Sequence, residues 1–194
     1  ALLEVVLRSR ASRRDPRWVI DLRTLSESRR ITLDRIGGEA QALARALALG
    51  VAVPDTIVLS AELTEAWVRE SRVARRGADP ASLLPPGALA PLQAFLHGCE
   101  GGKLVVRPSF RGTDPAATYA GLFTTVGDVD PLTFHGLAAA VLRVADSAES
   151  NPVHDYRRRM RQVATIHRSV VLQRQIDADV AGVAQSRGLD GRAD

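Results

Sequence analysis

The feature that most constrains this sequence is an apolar strand that ends near one arginine and runs into a polar loop. The strand is predicted over residues 103–109 and includes Arg107. A loop rich in Gly, Pro, Ser, Thr and Asp follows, and residues 119–126 are predicted to return as the hairpin partner. A guanidinium offers a rigid fork of donors that matches phosphate oxygens. A strand that ends in this way beside a flexible loop therefore predicts a site for an anionic ligand.

Helical and strand patterns mix along the chain without strict β-α-β alternation. This mixture favours an α+β fold, with a mixed or antiparallel sheet flanked by helices. Further strands are predicted at 18–22, 56–60, 169–173 and 180–184. Helices are predicted at 40–47, 62–75, 89–98, from Asp130-Pro131 onward, and around 156–159. The helix at 62–75 is expected to turn four residues inward: Leu63, Ala66, Trp67 and Val73.

Composition and charge exclude several classes of protein. The formal net charge is only +4, Lys103 is the sole lysine, and the arginines are scattered among acidic residues, which argues against nucleic-acid binding. Cys99 is the one cysteine, so neither an intramolecular disulfide nor a cysteine-based zinc site is possible. No apolar run approaches the roughly 20 residues that span a bilayer. We therefore expect a cytoplasmic protein with no membrane contact and, since no initiating methionine is present, a piece of a longer one.

Four segments carry a resemblance to one family, in the same order along the chain: Ile36–Leu43, Val51–Ser60, Val106–Asp114 with Thr118–Gly121, and Val170–Gln173 with Ala181–Val183. Together they resemble the N-terminal ATP-binding domain of the phosphoenolpyruvate synthase and pyruvate phosphate dikinase family, which rifampicin phosphotransferases share. The resemblance implies the first lobe of an ATP-grasp fold over residues 18–185. Residues 1–17 would then be an N-terminal extension, and residues 186–194 the truncated start of a second lobe.

The resemblance also implies a function and a set of site residues. The chain would be the ATP-binding part of a phosphotransferase that passes a phosphoryl group from ATP to a histidine on a separate domain. Arg107 would be the catalytic phosphate contact, Gln173 would lie near adenine, and the backbone of Gln175 and Ile176 would read the base. The remaining ATP-binding positions implied are Gly38, Glu39, Gly121, Thr124 and Thr125. ATP and Mg²⁺ are the implied cofactors, with the metal-binding carboxylates in the second lobe, beyond residue 194.

One departure from the family pattern suggests a second hypothesis. Glu39 stands where the family has a lysine, so a carboxylate replaces a cation where phosphate charge is to be neutralised. A degenerate, non-catalytic nucleotide-binding or scaffold module is therefore the alternative function. Other assignments also stay open. Arg107 could pair with Asp114, Glu39 could serve as a first-turn helix carboxylate, and Gln173 could be a hydrogen-bonded buried amide.

Overall fold

The computed structural model describes residues 18–25, 33–75, 77–112, 121–161 and 165–182. The strands in this part of the chain are β1 Val19–Asp21, β2 Thr56–Leu59, β3 Leu104–Arg111, β4 Val126–Val129 and β5 His167–Arg174. The helices are α1 Leu22–Leu25, α2 Leu33–Ala48, α3 Ala61–Val73, α4 Leu89–Gly98, α5 Phe134–Asp146 and α6 Asn151–Arg159. Short 3₁₀ turns lie at Pro80–Leu83 and Ser147–Glu149.

The five strands form one sheet in the order β1-β2-β5-β3-β4, and every neighbouring pair is antiparallel. The longest pairing joins β3 and β5, from Leu104 opposite Arg174 to Arg111 opposite His167. β5, the last of the five described strands along the chain, therefore lies at the centre of the sheet. The expected mixture of helices with an antiparallel sheet is confirmed.

One side of the sheet, which we call the helix-layer face, packs against α3, α4 and α5. Side chains that alternate along β3 and β5, such as Val106 and Leu172, point into this layer and are fully buried. Trp67 of α3 is also fully buried there, and its indole N–H donates to the carbonyl of Pro80 at 3.1 Å. The apolar cluster on this side contains 22 buried residues. Since burying a large apolar side chain stabilises a fold by about 1.5–3 kcal/mol, most of the hydrophobic stabilisation arises here.

The opposite side, which we call the α2 face, packs against α2 through a much smaller apolar cluster. Its six buried members are Ile20, Leu22, Ile36, Ala40, Val58 and Val171. The sheet positions that alternate with the helix-layer residues point to this side. On β3 and β5 they include Arg107, Ser109 and Gln173. The α2 face therefore combines a small core with polar side chains.

Several sequence predictions are confirmed by the elements. Helix α4 spans the predicted residues, β2 lies within its predicted range, and β5 includes the predicted strand. Strand β3 begins one residue later and ends two residues later than predicted. Leu63 and Trp67 of α3 are fully buried. Val73 was expected to be inward but is 74% exposed. It lies six residues after Trp67, a spacing that places it off the buried stripe of an α-helix.

Three predicted boundaries are wrong. The hairpin partner of β3 begins at Val126, because Gly121 takes a left-handed φ of 76° and the chain from there to 125 is turn and irregular structure. Helix α5 begins at Phe134, since the carboxylate of Asp130 accepts the N–H of Leu132 at 2.9 Å and holds a turn instead. Residues 180–182 are not a strand. Residues 119–120 and 183–184 lie outside the described part of the chain.

Candidate functional site

Arg107 lies on β3, opposite Val171 of β5, and points to the α2 face. Its Nη2 atom is 2.7 Å from Oε1 of Glu39, and the two side chains are 38% and 34% exposed. At this exposure such an ion pair contributes about 0–1 kcal/mol to stability. The structure thus joins two of the predicted site residues that are 68 positions apart. Asp114, the alternative partner considered for Arg107, lies outside the described residues.

Glu39 is held beside Arg107 by a break in α2. At Gly37 the backbone leaves the helical region (φ 73°, ψ 179°), and a new helical segment, residues 38–48, begins. A Cβ atom at Gly37 would overlap the carbonyl oxygen of Ser109, so the helix start and β3 touch backbone to backbone. Glu39 therefore lies in the first turn of this segment, where the helix dipole favours a negative charge.

Ser109 fastens the same helix start to the sheet. Its hydroxyl accepts the N–H of Ala40 at 2.9 Å and donates to the carbonyl of Ile36 at 2.5 Å. The hydroxyl of Ser169 in turn donates to the carbonyl of Ser109. Ser109 and Ser169 are both almost fully buried. Ser109 thus caps α2 from another element, two residues along β3 from Arg107 and on the same face of the sheet.

Gln173 extends the polar cluster to β2. Its Oε1 atom accepts from Nη1 of Arg107 at 3.5 Å, and its Nε2 atom donates to the hydroxyl of Thr56 at 2.9 Å. That hydroxyl donates to the carbonyl of Pro54 at 2.6 Å. Gln173 is only 6% exposed. The structure therefore shows Gln173 as a buried amide with hydrogen-bond partners on both sides.

Gln175 and Ile176 lie just beyond the end of β5. The side chain of Gln175 accepts the N–H of Asp128 and donates to its carboxylate, each at 2.8 Å, and its own N–H donates to the carbonyl of Lys103 at 2.8 Å. This pair ties the end of β5 to β4, where Asp128 takes a left-handed φ of 57°. Ile176 is 63% exposed. The two predicted base-reading residues are thus separate from the cluster around Arg107.

The remaining predicted ATP-binding positions, Gly38, Gly121, Thr124 and Thr125, lie in two different parts of the fold. Gly38 has open space where a side chain would lie, so the glycine that the geometry requires is Gly37. Gly121, Thr124 and Thr125 lie in the irregular segment before β4. Val126 pairs with Val106, and extending that register by one residue puts Thr125 level with Arg107.

The sequence analysis gave no site role to Gly37, Ser109 or Thr56, which contact residues that are distant along the chain. The sequence signals for Ser109 were its place in the family-like segment Val106–Asp114 and its spacing from Arg107, since residues two apart on a strand share a face. We call Glu39, Arg107, Ser109, Gln173 and Thr56 the Arg107 cluster.

A separate cavity of about 580 Å³ lies at the β4 edge of the sheet. Its lining residues are Gly101, Gly102, Lys103, Asp128, Asp130, Leu132, Gln175 and Asp177. Nζ of Lys103 is 3.9 Å from Oδ2 of Asp130, so one of the carboxylates has a cationic neighbour. The Arg107 cluster does not contribute to this lining.

Two other kinds of chemistry, metal binding and thiol reactivity, depend on side chains within the described ranges. No group of three or more His, Cys, Asp or Glu side chains there is placed to hold a metal ion. Cys99 is buried, and that burial raises the pKa of its thiol; nearby Asp55 raises the pKa further, while Arg174 lowers it.

Within the described ranges, no helix has the length and apolar character needed to cross a membrane.

Comparison with known proteins found no matching family model and no matching curated protein. The resemblance to the phosphoenolpyruvate synthase and pyruvate phosphate dikinase family therefore stays a prediction from the sequence motifs.

Proposed function

We propose that this chain is the ATP-binding portion of a phosphotransferase of the phosphoenolpyruvate synthase or pyruvate phosphate dikinase type, forming the first lobe of an ATP-grasp fold. The observation that carries the proposal is the position of Arg107. Its guanidinium is partly exposed on the α2 face, 2.7 Å from a carboxylate in the first turn of a helical segment. A guanidinium beside the start of a helical segment is a combination that attracts phosphate oxygens.

The antiparallel sheet supports the proposal in a second way. Its two faces differ, since the buried apolar cluster on the helix-layer face is much larger than the cluster on the α2 face. Polar side chains from β2, β3 and β5 meet on the α2 face. Under the proposal, the triphosphate lies on this face at Arg107, and a second lobe covers it.

The proposed reaction is in-line transfer of a phosphoryl group from ATP to a histidine on another domain. Arg107 would bind phosphate oxygens and orient the transferred group, which is the main protein contribution to this type of reaction. Mg²⁺ would supply the remaining charge neutralisation. The described residues provide no cluster for this metal, so the proposal gives them no part in holding it.

The experiment that tests the proposal is a thermal-shift titration of the full chain with ATP and Mg²⁺. A ligand that binds only the native state stabilises it by RT ln(1 + [L]/Kd), about 2.7 kcal/mol at a hundredfold excess over Kd. Arg107→Ala is expected to abolish the shift. Arg72→Ala is the matched control, because Arg72 also pairs with one carboxylate, Asp146 at 2.6 Å, but lies on α3. Equal shifts in the wild type and Arg107→Ala would contradict the proposal.

The Glu39–Arg107 pair itself favours the second candidate, a degenerate module that does not catalyse transfer. In that case the pair is a structural contact, and the chain acts as a scaffold or regulatory module. Glu39→Lys separates the two functions, because it restores a cation at this position. If the wild type binds ATP and Arg107→Ala does not, the scaffold function fails. If neither the wild type nor Glu39→Lys is stabilised by ATP, the phosphotransferase function fails.

A further inference from the structure

The carboxylate of Glu39 occupies the place that an anionic ligand would take. Two features attract negative charge at this point, the Arg107 guanidinium and the start of the helical segment 38–48. Glu39 is close to both features. Its Oε1 atom lies 2.7 Å from Nη2 of Arg107, and the Glu39 backbone is in the first turn of the helical segment. A phosphate that binds Arg107 must therefore compete with Glu39.

The backbone on which Glu39 is carried is anchored to β3. Ser109 caps the N–H of Ala40 at 2.9 Å, and Gly37 packs directly on the backbone of Ser109. Both contacts are buried, so the helix start is fixed to the sheet. The Glu39 side chain is by contrast 34% exposed. Release of Arg107 therefore requires only rotation of the Glu39 side chain, with no movement of the helix.

We propose that Glu39 is an intramolecular competitor that lowers the affinity of phosphate-bearing ligands for Arg107. The inference rests on the proposed function, since it takes Arg107 as the phosphate contact. A ligand binds only those molecules in which Glu39 has left Arg107, so its apparent Kd is raised by the reciprocal of that fraction. The factor is the same for ATP, pyrophosphate and inorganic phosphate.

Removal of the competing charge should raise the affinity for all three ligands. Glu39→Gln keeps the shape of the side chain and a hydrogen-bond acceptor for Arg107 but removes the charge of the ion pair. A pair of this exposure is worth at most about 1 kcal/mol, which corresponds to about a fivefold change in affinity. We therefore expect Glu39→Gln to bind ATP, pyrophosphate and inorganic phosphate up to about fivefold more tightly.

The test is isothermal titration of the full chain with ATP, pyrophosphate and inorganic phosphate. Glu70→Gln is the matched control, because Glu70 also lies near an arginine, with Oε1 3.4 Å from Nε of Arg69, but is on α3. Its affinities are expected to equal those of the wild type. Glu39→Asp is the second variant, since it retains the charge on a side chain one methylene shorter and should show a smaller gain. It keeps the test decisive if Glu39→Gln fails to fold.

Each outcome bears on a different claim. Tighter binding of all three ligands by the Glu39 variants, with no change in Glu70→Gln, supports the competitor role. Unchanged affinity in the Glu39 variants, with binding still lost in Arg107→Ala, overturns the competitor role and leaves the proposed function standing. If the wild type and the Glu39 variants bind none of the three ligands, both the competitor role and the proposed function are overturned.

Discussion

The two faces of the sheet are built from the same strands but held together by different forces. Among the described residues, the cluster on the helix-layer face has 22 buried apolar members, whereas the cluster on the α2 face has six, together with the polar contacts of the Arg107 cluster. The helix-layer face owes most of its stability to apolar area removed from water. The α2 face combines a small apolar cluster with a few directional hydrogen bonds and one close backbone contact. Stability and candidate function thus lie on opposite sides of one sheet.

The largest effect is expected from Gly37→Ala. The new Cβ would overlap the carbonyl oxygen of Ser109, and φ of 73° is unfavourable for alanine. We expect a loss of about 4 kcal/mol or more in the free energy of unfolding by urea, or failure to fold. Gly38→Ala is the matched control, because open space surrounds that position, and it should change stability by less than about 1 kcal/mol. Equal effects of the two changes would mean that α2 does not contact β3 as described.

A cavity on the helix-layer face should cost somewhat less. Leu172→Ala is expected to lower the free energy of unfolding by about 3 kcal/mol, because the side chain is fully buried in the large cluster. Val171→Ala removes one carbon fewer from the α2 face, and Val171 is also fully buried. The losses in free energy of unfolding for the two variants, measured with urea, should therefore differ by only about 1 kcal/mol. A much larger difference would show that the α2 face is loosely packed.

Loss of the cap on α2 should have an intermediate effect. Ser109→Ala leaves the N–H of Ala40 and the carbonyl of Ile36 without this partner, which should destabilise the chain by about 2 kcal/mol. Amide hydrogen exchange should report faster exchange at Ala40 than in the wild type. Ser169→Ala, the control, removes a neighbouring hydroxyl but keeps the cap, so exchange at Ala40 should be unchanged. Unaltered exchange in Ser109→Ala would show that the cap is not formed in solution.

The smallest effect concerns Cys99, on the helix-layer face. Its pKa is raised, mainly by burial, so the thiol stays protonated at neutral pH. The folded chain should react with a thiol reagent far more slowly at pH 7 than the urea-unfolded chain does, and reactivity should rise as pH passes the raised pKa. Since the folded state favours the protonated thiol, the contribution of Cys99 to stability is complete below the unfolded pKa and is lost as pH rises through the raised folded pKa. Rapid modification at neutral pH would show that this part of the core opens readily.

The helix-layer face could largely be predicted from the sequence, because its signals are local. Leu63 and Trp67 have helical spacing, and the apolar runs of β3 and β5 are strand-like. The Arg107 cluster could be predicted only in part. Arg107, Glu39 and Gln173 were selected by motif, but their mutual contacts were not. Ser109 and Ile36 are 73 positions apart, and Gln173 and Thr56 are 117 apart. Contacts over such separations depend on strand order, which no local pattern specifies.

The most direct test of the central claim is a crystal structure of the full chain with a non-hydrolysable ATP analogue and Mg²⁺. The account predicts phosphate oxygens within about 3 Å of the Arg107 guanidinium, with the Glu39 side chain rotated away and the Ser109 cap retained. A nucleotide bound elsewhere, with the Glu39–Arg107 pair intact, would contradict it.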